Sequence, residues 1–326
     1  MKKALFLFAA LLPSSIKILL YRSMGAQIGK NVKFGLGSLL IFRDSLIIGN
    51  NVKIGSGSLI KCHAGEIGDY SEITPATLIS VPKFKIGRDC KFSYGSIIRS
   101  GHTTKRSELI VGDLVHVFPF VMIDCSRKVT IQDGAGIGPK CSIFTHSSYK
   151  SILEGYSVAY ADVLIGKRVE LTYNVFVAPG VTIGDDAICA YGAYVNKDVE
   201  SGVLVAGMPA VPKRTKEQIT KHKDLLNVEQ TITDILEDYK DNISFVNNRE
   251  PLPVKIVLGQ NRIAVDSNTA YILIESSIGS VNTESYAVFD VTLGIAYNQG
   301  IAAPDYQGLR KFLSRYGIRF VTGERA

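Results

Sequence analysis

Between Leu164 and Val199 an apolar residue recurs every six positions without a break: Ile165, Leu171, Val177, Ile183, Cys189 and Val195. Four residues beyond each stands a small side chain, namely Val169, Val175, Val181, Ala187, Ala193 and Val199. This period matches neither the roughly 3.6-residue repeat of a helix nor the two-residue alternation of an unbroken strand. It fits a coil of short strands that turns a corner every six residues, with one large and one small side chain pointing inward per face.

The same rule extends over most of the chain. Grouping the repeats in threes gives eight turns, beginning at Ile28, Ile48, Ile67, Ile86, Val111, Ile131, Ile165 and Ile183, and all twenty-four large positions are apolar. Eight of these set the phase, so sixteen test it; a composition of 46% apolar residues would fill roughly seven by chance. Twenty of the twenty-four small positions hold Val, Ser, Ala, Thr or Cys, and glycine follows the first large residue in seven of eight turns. Glycine there is expected where the backbone must take a positive φ. The pattern predicts a three-sided parallel β-helix. Spacing beyond the third repeat is 8, 7, 7, 13, 8, 22 and 6 residues, so extra residues leave the coil at one corner, mainly after Ile98 and Ile143. Insertions stacked on one face of a solenoid are where binding and chemistry collect.

That corner carries the candidate chemistry. His146 lies three residues past Ile143, at the mouth of the longest excursion, and Asp124 lies one residue past Ile123 on the turn below. A histidine beside a carboxylate in a loop-covered cleft is a general base oriented by its neighbour; a lone histidine is otherwise an exposed loop residue. His102 sits at the same corner two turns below His146, placed either to bind a substrate phosphate or as a loop residue without a role, while His63 is four turns below and too distant. Zinc catalysis would need several ligands about 2 Å from one metal. His102, His116 and His146 fall on three different turns, and no metal is expected.

The run VMIDC…VTIQDGAGIGPKCSIFTH, followed by a loop, VLIG…VAPGVTIGDDAICAYGAYVNKDV and VAGMPAVPKR, resembles the hexapeptide-repeat acyltransferases. The likeness covers roughly residues 26–214 and is to the subgroup of galactoside, maltose, serine and nodulation O-acetyltransferases. It implies a left-handed coil, although the general rule for parallel crossovers is right-handed. It also implies a homotrimer with acetyl-CoA lying along the coil between subunits. By the same resemblance His146 deprotonates the acceptor hydroxyl and Asp124 helps hold the acceptor. Tyr173, Tyr191, Asn196, Lys197 and Arg214, with Lys213 nearby, fall where the family binds CoA. Thr172, Tyr173 and Tyr191 depart from the usual small residues and would either narrow the CoA channel or stack on the adenine.

Charge and composition bound the rest. Lys2, Lys3, Lys17, Arg22, Lys30, Lys33 and Arg43 precede the first acidic residue, Asp44, and equal the whole net charge of +7. The body of the chain is therefore balanced, which argues against nucleic acid as a partner. ALFLFAALL (4–12) is too short to span a bilayer. Residues 1–25 are expected either as an interfacial helix on an anionic membrane, with Lys17 and Arg22 snorkelling, or as a cap on the open base of the coil. Five cysteines without CxxC spacing, three of them at inward positions, suggest a reducing, cytoplasmic setting. Residues 215–250 read as a helical connector. Residues 251–326 read as a small α+β domain, with Leu309, Phe312, Leu313 and Tyr316 facing inward from a helix that ends at Gly317.

Taken together, the chain reads as mainly β: a left-handed parallel β-helix with an N-terminal helix, a connecting helix and a C-terminal domain. The function expected is acetyl-CoA-dependent O-acetylation of a sugar hydroxyl in surface polysaccharide synthesis, on a sugar, sugar-nucleotide or lipid-linked saccharide. The rivals are a non-catalytic scaffold and N-acetylation of an amino-sugar nucleotide.

Overall fold

Stacked on one another, the hexapeptide strands make three parallel sheets. The computed structural model describes residues 9–148, 150–221, 224–247, 249–259, 262–281, 283 and 285–323. They form two compact units, which divide between Thr220 and Lys221. The first sheet holds eight strands from Gln27–Ile28 to Thr182–Ile183, and the third holds eight from Leu39–Ile41 to Tyr194–Val195. Register follows the repeat: Ile28, Ile48, Ile67, Ile86, Val111, Ile131, Ile165 and Ile183 stand directly above one another. All twenty-four large positions are buried along one continuous core.

The coil runs further than the eight turns counted. Val199 bridges to Ile183 and Val205 pairs with Cys189, extending the first and second sheets. Val211–Arg214 then folds back antiparallel on Leu204–Ala206 and covers the last edge of the second sheet.

The corner glycines have a different cause from the one expected. None of Gly29, Gly49, Gly68, Gly87, Gly112, Gly166 and Gly184 has a positive φ; the left-handed residues are those two places later, such as Asn51, Asp89 and Asp186. What requires glycine is space. A Cβ on Gly49 would lie 2.2 Å from Asp69 Oδ1, and one on Gly112 would lie 2.2 Å from Asp133 Oδ1. Those carboxylates reach down to accept the N–H of Asn50 and Asp113 on the turn below, at 2.6 and 2.9 Å. Glycine thus clears the path for a ladder of side-chain hydrogen bonds along the corner.

The first turn has no turn beneath it, and helix α1 (Ser14–Ser23) takes that place. It serves each sheet in turn: Arg22 donates to Ile28 O at 2.5 Å, Ser14 Oγ accepts from Phe34 N at 2.9 Å, and Tyr21 Oη accepts from Leu40 N at 3.1 Å. Lys17, fully buried, donates to Gly35 O, Ser38 O and Ser38 Oγ. Of the two roles expected for this segment, the described helix takes that of the cap: Lys17 and Arg22, the cations that the membrane alternative would have snorkelling, are bonded to the first turn. Leu11, Ile16 and Leu19 face outward. Residues 1–8, with Lys2 and Lys3, lie outside the described residues. Among the described residues no helix is long and apolar enough to cross a membrane.

In the second unit a five-stranded sheet runs in the order Val254–Leu258, Thr269–Ile274, Tyr286–Asp290, Ile295–Gln299, Val321–Thr322. Helices α2 (Leu225–Asn247) and α3 (Ala303–Arg315) pack on one of its faces. All six residues of Thr269–Ile274 are buried, since Tyr271 and Leu273 are covered on the other face beside Val265 and Ile278. Ile232, Ile235, Leu236 and Tyr239 put α2 in this core, so the helix expected as a connector belongs to the C-terminal unit. Tyr316, expected inward, is exposed and bonds Asp238 at 2.7 Å; Tyr306 fills the core instead.

Candidate active site

The site forms where loops leave the corner after the third sheet. Ile98, Ile123 and Ile143 are consecutive rungs of that sheet. Asp124 ends the strand Met122–Asp124, and His146 begins a short strand, His146–Ser147, that pairs antiparallel with Ala159–Tyr160. The 22-residue excursion therefore starts as a hairpin, a flap rooted at the histidine. Its tip is a turn at Ile152–Glu154, closed by Gly155 in the left-handed conformation.

His146 Nδ1 lies 2.8 Å from Asp124 Oδ1. Asp124 is 3% exposed, and its own chain occupies both oxygens. Oδ1 also accepts from Ser126 N at 3.0 Å and lies 3.0 Å from the Thr145 hydroxyl; Oδ2 accepts from Gly101 N and Ser126 Oγ. Burial pushes this carboxyl up, but the Ser126 N–H, His146 and the two hydroxyls outweigh burial and hold it below the usual carboxylate range. An ionised carboxylate only accepts, so the imidazole proton sits on Nδ1 and Nε2 keeps its lone pair. Asp124 thus fixes the orientation of the His146 ring. Both Asp124 oxygens, which the resemblance implied would help hold the acceptor, are engaged by these groups.

Tyr160, which sequence reasoning missed, lines the site. Its ring stacks on His146 with centroids 5.7 Å apart, and its hydroxyl bonds Ser148 Oγ at 2.8 Å. His102 also reaches this ring, at 5.7 Å. Two turns would separate it further from His146, but its loop folds up the corner, with His102 N on Ser126 Oγ and Ser107 Oγ on Ser126 O. Gly101 closes the other side: a Cβ there would come 3.0 Å from Asp124 Oδ2 and 3.5 Å from His146 Cε1. His116 stands apart on the second sheet, stacked on Phe118 and 3.1 Å from Ser93 Oγ. Among the described residues no group of three or more His, Cys, Asp or Glu is arranged to hold a metal.

The residues expected to bind CoA divide into two places. Asn196, Lys197 and Arg214, with Lys213, line a cleft of about 570 Å³ between the last turn and the returning strand, walled by Val195, Val205 and Pro209 among others. Asn196 follows Val195, which lies two strands above Ile143 on the third sheet, so the cleft opens about 10 Å along the same corner from the dyad. Tyr173 and Tyr191 sit at the neighbouring corner and stack on each other, 5.4 Å apart and 11° from parallel. That spacing leaves no slot for a base between the rings, but the outer face of Tyr191 is open, the residue being 71% exposed.

No protein-family model matches the chain. It is 31% identical over 125 residues to an Escherichia coli protein named as a colanic acid biosynthesis acetyltransferase, WcaF, covering 32% of this chain and 69% of that one. It is 29% identical over 133 residues to the galactoside O-acetyltransferase of Escherichia coli, covering 40% of this chain and spanning 60% of that relative's length. Among solved structures, the UDP-N-acetylglucosamine acyltransferase of Campylobacter jejuni aligns over 69% of this chain and 87% of its own, at 16% identity and a TM-score of 0.49. The match to WcaF extends over more than two thirds of that protein, and the hexapeptide rungs that define the fold are all in register. The chain belongs to the hexapeptide-repeat acyltransferases of the left-handed β-helix class.

Proposed function

We propose that this protein is an acetyl-CoA-dependent O-acetyltransferase acting on a sugar hydroxyl, in the synthesis of a surface polysaccharide or its nucleotide- or lipid-linked precursor. One observation carries the reading: His146 Nε2 has no hydrogen-bond partner among the described residues, while its Nδ1 is fixed by a buried, fully engaged carboxylate. The names of the relatives support a sugar acceptor.

The cleft at the last turn suits CoA. Lys197, Lys213 and Arg214 offer cations for its phosphates, and Val195, Val205, Pro209 and Ala210 offer an apolar wall for its arm. Acetyl-CoA, when bound, supplies the acetyl group as a thioester, and its departing thiolate is the final acceptor of the proton. His146 Nε2 takes that proton from the acceptor hydroxyl as the oxygen becomes a nucleophile. Asp124 stabilises the imidazolium that forms and keeps the ring from turning. The flap and Tyr160 shield the reacting hydroxyl from water. Acetyl-CoA as cosubstrate would place the protein in the cytoplasm.

A homotrimer belongs to the same proposal. Leu39, Leu59, Leu78, Ile97, Phe176 and Tyr194 point outward from the third sheet. The second sheet presents Lys33, Lys53, Glu72, Lys91 and Glu170 at the equivalent positions. An apolar face of that extent on one side of the prism calls for cover by another copy.

Acetyl-CoA at a hundredfold excess over its dissociation constant should stabilise the protein by about 2.7 kcal/mol in thermal unfolding. Charge reversal of Lys213 and Arg214 should remove most of that stabilisation. A non-catalytic scaffold would show no ligand-dependent shift in either protein, and that result would count against the proposal.

A further inference from the structure

We infer that the acceptor carries an anionic group, a sugar carboxylate or a phosphate of its linkage, and that Arg127 reads it. This deepens the acyltransferase reading and rests on it. Arg127 lies four residues past Ile123, at a position that holds a small side chain on four of the eight turns at this corner. Its guanidinium carbon sits 4.7 Å from the centroid of the Tyr160 ring, the same ring that stacks on His146. Arg127 and the catalytic base therefore both contact one aromatic ring.

The charge of Arg127 is unanswered. Arg43, Arg88 and Arg168 each pair with an aspartate, at 3.0, 3.1 and 2.6 Å. Arg127 has no carboxylate partner among the described residues: Nη1 donates to the Ser126 carbonyl at 3.0 Å, and Nε is buried with no hydrogen-bond partner. A half-buried guanidinium with an unmet donor is costly unless something arrives to meet it. The nearby carboxylate cannot turn to it, because Asp124 is held by His146, Ser126, Thr145 and Gly101. The sequence around the mouth is basic as well, with Lys105 and Arg106 in the lower loop and Lys128 beside Arg127. A guanidinium held over an aromatic ring by its central carbon still has N–H donors to offer planar anions such as carboxylate and phosphate.

The test compares matched acceptors with the intact protein: methyl galactoside, methyl galacturonide and galactose 1-phosphate. kcat and KM are measured separately for wild type, Arg127→Met and Arg127→Lys. The inference predicts that one anionic acceptor is preferred over the galactoside by at least about tenfold in KM, and which one identifies the source of the anion. In Arg127→Met that ratio should collapse to about one, with part of it restored by Arg127→Lys. A merely structural arginine would lower turnover on every acceptor alike and leave the ratio standing, which overturns the inference. So does equal use of neutral and anionic acceptors by wild type, or transfer to none of the three by a protein that acetyl-CoA still stabilises. Loss of that stabilisation would instead defeat the acyltransferase reading itself.

Discussion

Replacing His146 with alanine is expected to lower turnover by about 10²–10⁴ while the fold survives. The loss follows from the removal of Nε2, the one basic atom the dyad offers under the flap. The fold should survive because His146 lies outside the coil's core, with its side chain 27% exposed. Steady-state acetyl transfer, with circular dichroism as the control, checks both halves; near wild-type turnover would reject the base. The double variant His146→Ala/Asp124→Asn should lose less than the sum of the two single losses, since the pair acts as a unit. The pH dependence has a definite sign. Hydrogen bonds depress the Asp124 pKa in the folded state, so its contribution to stability is complete above the ordinary carboxylate pKa and fades as pH falls through the lower folded value. Between pH 5 and pH 8 the orientation of His146 should therefore not change through Asp124.

The second large effect concerns two glycines one residue apart on either side of Ile137. A Cβ on Gly138 would lie 1.2 Å from Thr172 O and 2.4 Å from Thr172 C, inside the turn above, whereas one on Gly136 would meet nothing within 4 Å. Backbone cannot yield as a side chain can. Gly138→Ala should cost about 3 kcal/mol or more, lowering Tm by roughly 6 °C or more. Gly136→Ala, outward on the second sheet, should stay within about 0.5 kcal/mol of wild type. Thermal unfolding of the two variants side by side decides the matter, and equal melting temperatures would mean that the turns are not packed as described.

Much of this was legible because each rung obeys one local rule. A six-residue period summed over eight turns fixes register, burial and the corner where insertions leave, and Ile28 through Ile183 stack as that period requires. It also brings Asp124 and His146 to one corner on adjacent rungs. What the sequence hides lies off the period. Lys17 reads equally as a membrane cation or as part of a cap until the bare edge of the first turn is seen to hold it. Tyr160 is fourteen residues beyond His146, and only the hairpin of the flap brings it back. The corner glycines answer to a side chain on the next turn, which no local conformational rule contains. Arg127 left only a weak signal: with Asp44, Lys83 and His102 it is one of four residues that break the small-residue rule, all at this corner.

The most direct test of the whole arrangement is a crystal structure of the protein with acetyl-CoA bound. The nucleotide end should rest against Lys213 and Arg214, and the arm should run down the corner to bring the thioester beneath the flap. A hydroxyl bonded to His146 Nε2 would then approach the acetyl carbon to about 3–3.5 Å. Acetyl-CoA seated at another corner, with His146 and Asp124 facing away from its thioester, would contradict the account.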